Sequence, residues 1–289
     1  MTPKLAIATC REFPALYEDD HRLLPALAAA GVAAEPVVWN SGADWSRYSA
    51  VLLRSVWDYF VHAAAFAAWL DELDRRGVPC WNPTSLVRWN MDKRYLKDLA
   101  ARGVPIVETL WIDRGDGVHP DEVAARILAT GWPEVVVKPR ISGGAWLTLR
   151  LRREEVASHA DALGEILATG GLMAQPFLPE IVEQGEHSLL FFDGAFSHAT
   201  VKWPREGDFR VQWAHGGSHV ASTPSPRLVS EAREVLSAAP SVGLYARVDG
   251  IVRDGRLVLM ELEQIEPYLF LAEGPGAAER FVRALVARL

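Results

Sequence analysis

Residues 247–263 read Arg247-Val-Asp249-Gly-Ile-Val-Arg-Asp254-Gly255-Arg-Leu257-Val-Leu259-Met260-Glu261-Leu-Glu263. An Asp-Gly pair between two apolar runs is a strong β-hairpin signal, so the stretch predicts two antiparallel strands turning at Asp254-Gly255. Side chains two apart on a strand share a face, which sets Glu261 beside Glu263 and lets the turn bring Asp249 to them. Carboxylates crowded on a partly buried face repel unless a cation neutralises them. Oxygen-only ligands suit magnesium, so Asp249, Glu261 and Glu263 are the candidate metal residues. A solvated acidic sheet face is the plainer alternative, which the apolar Leu257, Leu259 and Met260 disfavour. Arg247, two residues before Asp249, points to the same side. A fixed cation there suits an anionic intermediate, although a lone arginine is more often an ion-pair partner.

Further strand pairs lie upstream, at 134–138, 146–151, 189–192 and 196–202, the last two joined by Asp193-Gly194. Lys138 closes the buried run Val135-Val-Val-Lys138, where an unpaired ammonium is costly. Pro139 and then Ser142-Gly143-Gly144 follow, a loop whose backbone N–H groups can wrap a phosphate. It is not a Walker loop, because the Gly-Lys-Ser/Thr ending is absent, and a Gly-Gly turn is common in itself. Gln175-Pro-Phe177-Leu178, with Glu180 and Glu183 after it, offers backbone groups for an adenine edge and carboxylates for ribose hydroxyls; an ordinary turn is the alternative. Lys202 precedes a polar stretch, 203–207, and Asp208-Phe-Arg210 with Gln212 are placed to face a substrate.

Toward the N-terminus the texture is different. Strand-like runs at 4–10, 37–39 and 50–54 alternate with helical patterns at 20–30 and 63–76, which stop at Gly31 and Gly77. Such alternation predicts a parallel, doubly wound sheet. The G-x-G-x-x-G fingerprint is missing after the first strand, which argues against a dinucleotide site. Ligands of open sheets gather beyond the carboxyl ends of the strands. Arg54, Trp57, Asp58 and Tyr59 fall there and could grip a small zwitterion; a loop anchored by an Arg54–Asp58 ion pair is the alternative. Helices are expected at 92–102, 121–130 and from 276 onward.

The chain has 289 residues, 49% hydrophobic and 23% charged, the balance of a soluble protein with room for two or three lobes. A net charge of −7 argues against a dedicated nucleic-acid binder. The run 5–9 is too short for a secretory signal core, and no stretch approaches the roughly 20 apolar residues of a membrane span. Only Cys10 and Cys80 are present, fitting buried thiols in a reducing cytoplasm. His187, His215 and His219 show no metal-ligand spacing and are expected at the surface or in loops. The 11 Trp residues exceed ordinary core needs, and aromatics with a polar handle often line ligand sites.

Together Lys93, Lys138, Ser142-Gly-Gly144, residues 175–183, Lys202, Arg247-Val-Asp249 and Glu261-Leu-Glu263 resemble the ATP-grasp superfamily over residues 90–289. The resemblance implies an α/β protein, α+β in its C-terminal part. Its expected parts are a Rossmann-like N-terminal domain (1–85), a central lid lobe (113–186), and a C-terminal lobe with the metal site (86–112 and 187–289). It implies that Lys93, Lys138 and Lys202 reach ATP phosphates under the Ser142-Gly143-Gly144 loop. Gln175, Phe177 and Leu178, with Glu180 or Glu183, would hold adenosine. Asp249 and Glu261 would bind Mg2+, Glu263 replacing the family's usual Asn, while Arg247, Lys202 and Arg210 serve the reacting groups. Arg54-Ser-Val-Trp-Asp-Tyr59, Trp81-Asn-Pro83, Trp89-Asn-Met-Asp-Lys93 and the run from Glu261 to Pro267 resemble the glutathione-synthetase-like branch, particularly the cyclo-ligases that form D-cycloserine from O-ureido-D-serine. The expectation is an ADP-releasing carboxylate–amine ligase acting through an acyl phosphate on an amino-acid-like substrate, with a homodimer in keeping. A small-molecule kinase and a non-catalytic ATP binder are the rival classes.

Overall fold

The computed structural model describes residues 4–115 and 118–289. Residues 1–3, at the start of the expected N-terminal domain, and 116–117, inside the expected central lobe, lie outside them. Strands β1 (Lys4–Thr9), β2 (Ala33–Val38), β3 (Ala50–Leu53) and β4 (Cys80–Trp81) form a parallel sheet in the order β2-β1-β3-β4. Both of its faces are covered, as parallel sheets require. Helices α1 (Leu23–Ala29) and α2 (Ala63–Arg76) lie on opposite sides. The expected helix at 20–30 opens as a 3-10 turn, Glu18–Arg22, before α1 begins.

Helices α3 (Thr84–Met91) and α4 (Tyr95–Ala101) replace the single helix expected at 92–102, leaving Lys93 in the turn between them. The central sheet contains β5 (Leu110–Asp113), then α5 (Pro120–Ala129), β6 (Glu134–Pro139), β7 (Leu149–Arg152), α6 (Ala160–Ala168) and β8 (Gly171–Pro176), with strand order β5-β8-β6-β7. β7 starts later than expected because Ala145 and Leu147 adopt left-handed φ of 61° and 50°, which strands exclude. Alternation in β6 sends Val135 and Val137 into the core under α5 and α6 and turns Val136 and Lys138 to the opposite face.

The third sheet follows a short α7 (Glu180–Glu183). It holds β9 (Glu186–Phe192), β10 (Ala195–Trp203) and β11 (Ser218–Ser222), then, after α8 (Pro226–Ser237), β12 (Tyr245–Arg253) and β13 (Arg256–Glu263), in the antiparallel order β11-β10-β9-β12-β13. Both Asp-Gly pairs form the expected tight turns. Asp254 and Gly255 have φ of 53° and 71°, Asp193 and Gly194 50° and 74°, the positive pair that a type I′ hairpin needs. The last helix, α9 (Ala277–Val286), packs Phe281 and Leu285 against Leu5 and Ile7 of the first sheet and Leu190 and Phe192 of the third.

The β12–β13 hairpin is not a plain ladder. Asp249 pairs with Glu261 but Gly250 pairs with Leu259, so Met260 has no opposite number and forms a β-bulge. In a regular strand Leu257, Leu259, Glu261 and Glu263 would all face one side. The bulge shifts the phase: Leu257 and Leu259 enter the core with α8, while Met260, Glu261 and Glu263 turn to the cavity.

Candidate active site

A cavity of about 470 Å³ lies between the central and third sheets, with loops of the first sheet at one end. At the other end Val107, Val136, Leu178, Ile181 and Met260 form an apolar slot beside the buried Gln175, whose Nε2 donates to Thr109 Oγ1 at 3.0 Å. A slot of this chemistry, with an amide at its edge, suits a planar heteroaromatic base. Phe177, Glu180 and Glu183, expected around adenosine, are not on its wall. Phe177 lies under the Arg150 guanidinium at 3.5 Å. Helical geometry in α7 turns Ile181 inward, leaving Glu180 to pair with Arg253 at 2.6 Å and Glu183 exposed to solvent.

Cations occupy the middle of the cavity. Lys93 Nζ lies 2.6 Å from Glu261 Oε1 and donates to the Ser142 carbonyl at 2.8 Å. Lys202 Nζ lies 2.5 Å from Glu186 and 3.4 Å from Asp249; the register places Lys202 opposite Glu186. Lys138 meets no hydrogen-bond or ion-pair partner among the described residues, and burial pushes its ammonium pKa down. An unpartnered ammonium facing a concave site is costly unless an anion joins it. Ser142, Gly143 and Gly144 line the cavity beside it. The Ser142 hydroxyl donates to the Pro139 carbonyl at 3.1 Å, and a Cβ on Gly143 would meet the Phe60 ring at 2.8 Å, so the loop is seated against the first sheet's loops.

The acidic hairpin departs from the expected trio of repelling carboxylates. Asp249 is 1% exposed and lies behind the wall, where Arg247 Nε sits 3.0 Å from both its oxygens and the Ser188 hydroxyl donates to it. Burial pushes its pKa up, but Arg247 and Lys202 outweigh this and hold it well below the carboxylate range. Arg247 also pairs with Glu263, opposite it in the register, and donates to the Tyr268 carbonyl at 3.0 Å. Burial raises Glu261, yet Lys93 and Lys138 bring it below its usual value, whereas burial leaves Glu263 raised. Among the described residues no group of three His, Cys, Asp or Glu side chains forms a ready metal cage. Glu261 and Glu263 present oxygens to the cavity, a donor set that fits magnesium; Asp249 joins it only by exchanging its bond to Arg247.

At the N-terminal end Trp57 and Tyr59 line the cavity, but Arg54 and Asp58 do not. Arg54 is fully buried, 2.9 Å from Asp20, and donates to the Pro267 carbonyl at 2.6 Å; Asp58 instead accepts from Trp39 Nε1 at 2.7 Å. Of the four residues expected to grip a substrate, Trp57 and Tyr59 face the cavity, whereas Arg54 points into the junction between the first sheet and the segment after β13 and makes no pair with Asp58. Arg210 and Gln212 are on the wall, with Asp208 behind Arg210 at 2.8 Å. Sequence reasoning missed Phe13, Tyr17, Glu186, Glu266 and Tyr268 on the wall, and placed His219 at the surface where the structure puts it in the cavity. Glu266 falls within the run quoted as a branch signature and Tyr268 just after it, the one signal available for them.

Two family models match the chain: "D-cycloserine synthetase DcsG, N-terminal domain" over residues 5–82 and "Prokaryotic glutathione synthetase, ATP-grasp domain" over residues 120–255. The chain is 34% identical over 282 residues to the cycloserine biosynthesis protein DcsG of Streptomyces lavendulae, covering 92% of each chain. The crystal structure of D-cycloserine synthetase DcsG superposes with a TM-score of 0.90 at 30% identity, over 99% of both chains. A D-alanine–D-alanine ligase from Bacillus anthracis shares the fold, with a TM-score of 0.70 at 16% identity over 99% of this chain and 97% of that one. Among the described residues no helix is long and apolar enough to cross a membrane.

Proposed function

Because the chain belongs to the ATP-grasp ligases, in the group that includes the D-cycloserine synthetase DcsG, we propose that it joins the carboxyl group of a small amino-acid-like substrate to a nitrogen through an acyl phosphate. The observation that carries this reading is the unpartnered Lys138 ammonium, set between the apolar slot and the carboxylates of β13. The slot holds the base of ATP, and Lys93, Lys138, Lys202 and the Ser142-Gly143-Gly144 loop receive its phosphates. Glu261 and Glu263 would hold magnesium, joined by Asp249 on its release from Arg247, and the ion would supply neutralisation of phosphate charge. Phosphoryl transfer depends mainly on positioning and charge neutralisation, which is what this cluster provides.

A substrate carboxylate oxygen attacks the terminal phosphorus and ADP leaves. The nitrogen then attacks the carbonyl carbon and gives up its proton as inorganic phosphate departs. Arg247, held by Glu263 and by the Tyr268 carbonyl, steadies the negative charge on the acyl group. Closure of the loop around Gly143 against Phe60 excludes the water that would hydrolyse the intermediate. Likeness to the cycloserine synthetase over nearly the whole chain supports an intramolecular, ring-closing ligation, with O-ureido-D-serine as the first substrate to try.

The test uses substrate labelled with 18O in its carboxyl group. An acyl phosphate delivers one label to inorganic phosphate. ADP formation with unlabelled phosphate, or with a stable phosphorylated product, contradicts the proposal.

A further inference from the structure

One end of the cavity has the opposite electrostatic character from its middle. The Trp57 ring lies 4.9 Å from Tyr17 and 5.4 Å from Phe13, Tyr17 lies 5.7 Å from Tyr268, and Tyr268 lies 4.5 Å from Phe270. All of these residues are on the cavity wall. Within the wall Glu186 is held by Lys202, Glu261 by Lys93 and Glu263 by Arg247. Glu266 has no ion pair among the described residues and its carboxyl meets only its own backbone N–H, and the exposed Glu12, next to Phe13, has no ion pair among them either. Trp57 Nε1 donates to the Glu266 backbone carbonyl at 2.9 Å, which ties the main chain at residue 266 to the aromatic cluster.

We propose that the aromatic box of Tyr17, Trp57, Tyr268 and Phe270, with the Glu266 carboxylate, binds the cationic amino group of the substrate. The enzyme then selects amino acids over plain carboxylic acids, and this amine is a handle rather than the attacking nitrogen. The proposal rests on the ligase reading and adds the residues that read the amine. Electron-rich ring faces attract an ammonium, most strongly where water is excluded, and a carboxylate without a partner supplies the countercharge. Among the described residues Lys138 and Glu266 thus stand as two groups of opposite sign without an ion pair in one cavity: the first suits a phosphate, the second an ammonium.

The box also adjoins the reacting centre. Arg247 donates to the Tyr268 carbonyl at 3.0 Å and its guanidinium carbon lies 5.7 Å from the Phe270 ring. An ammonium in the box therefore sits close to the residue that meets the acyl group, as an amino group near the reacting carboxyl requires. Burial raises Glu266 to about 7, a shift that a bound cation reverses.

The test measures binding by calorimetry in the presence of magnesium and a non-hydrolysable ATP analogue. The probes are O-ureido-D-serine with 3-(ureidooxy)propanoic acid, and D-alanine with propionate, each pair differing by the amine alone. The expected result is that at least one amine-bearing probe binds about tenfold or more tightly than its partner, and that Glu266→Gln removes this preference. The amine-free acids and the ATP analogue should bind Glu266→Gln as they bind the wild type, which also shows the variant to be folded; Tyr268→Leu should weaken the amine-bearing probe alone. If no amine-bearing probe outbinds its partner, or if Glu266→Gln weakens both members of a pair equally, the assignment is overturned. The ligase reading is judged separately, by ADP release.

Discussion

Gly250 faces Val258 across the β12–β13 hairpin so closely that a Cβ at residue 250 would lie 2.5 Å from the Val258 carbonyl oxygen. That oxygen is backbone and cannot swing aside. The close approach sits at the Met260 bulge, where the carboxylates of β13 turn from core to cavity. Gly250→Ala is expected to cost about 1–3 kcal/mol in stability through overpacking and to lower turnover by more than tenfold through displacement of Glu261. Denaturant unfolding and steady-state kinetics check the two effects; turnover unaffected by a clear loss of stability would detach the bulge from the chemistry.

Glu261 holds Lys93 at 2.6 Å, and Lys93 in turn holds the Ser142 carbonyl. Glu261→Gln and Asp249→Asn keep side-chain size and remove negative charge. Both are expected to abolish turnover; Glu261→Gln should leave the thermal midpoint within a few degrees of the wild type, whereas Asp249→Asn, which breaks a buried pair, should also lower stability by about 3–5 kcal/mol. Lys93→Ala is expected to weaken nucleotide binding by about tenfold or more, the range of a lost charge-assisted contact. Wild-type-like turnover in Glu261→Gln would sink the metal assignment.

Arg54 has a structural task. Its pair with Asp20 is buried on both sides, and removing one partner of a buried pair costs about 3–5 kcal/mol because the other is left charged and alone. Arg54→Ala is therefore expected to lower unfolding free energy by that amount. Where the variant stays folded at reduced temperature, its nucleotide affinity should equal that of the wild type. A stable Arg54→Ala protein with weakened substrate binding would restore the residue to the cleft.

Glu266 ties stability to pH. Burial raises its folded pKa to about 7, with Glu261 adding to the shift and Lys93 and Arg247 opposing it, against a value of about 4.3 for an unperturbed glutamate. A raised acid binds its proton more tightly in the folded state, so this contribution is complete below about pH 4 and is lost as pH rises through 7. Glu266→Gln removes that loss. Its stability relative to the wild type is expected to improve between pH 5 and 8 by about 1–3 kcal/mol, measured by denaturant unfolding. A difference independent of pH would show that Glu266 ionises normally.

Much of the architecture was legible where local chemistry speaks for itself. The two Asp-Gly turns marked both hairpins, and the costly ammonium at the end of the run Val135-Val-Val-Lys138 pointed to an anionic partner. Lys202 stood at a strand end and the paired glutamates of β13 followed from spacing, while Lys93, in a turn between helices, came only with the family resemblance. What sequence could not supply were long-range partners: nothing local to Arg54 points to Asp20, whereas the i, i+2 spacing of Arg247 and Asp249 already offered an ion pair. The bulge was also hidden, since strict alternation would send Glu261 into the core with Leu257, and only Gly250 hints otherwise. Glu266, Tyr268 and Phe270 lie in an irregular stretch with no periodicity to read, held in place by Asp19 through the backbone N–H groups of Leu271 and Ala272.

The most direct test of the central claim is ADP release from the purified protein with magnesium-ATP and a panel of amino acids that includes O-ureido-D-serine, the products being followed by mass spectrometry. The account predicts ADP and inorganic phosphate in equal amounts, dependent on the acid, with an amide or ring-closed product. ADP with a stable phosphorylated acid, or bound ATP that no acid in the panel turns over, would contradict it.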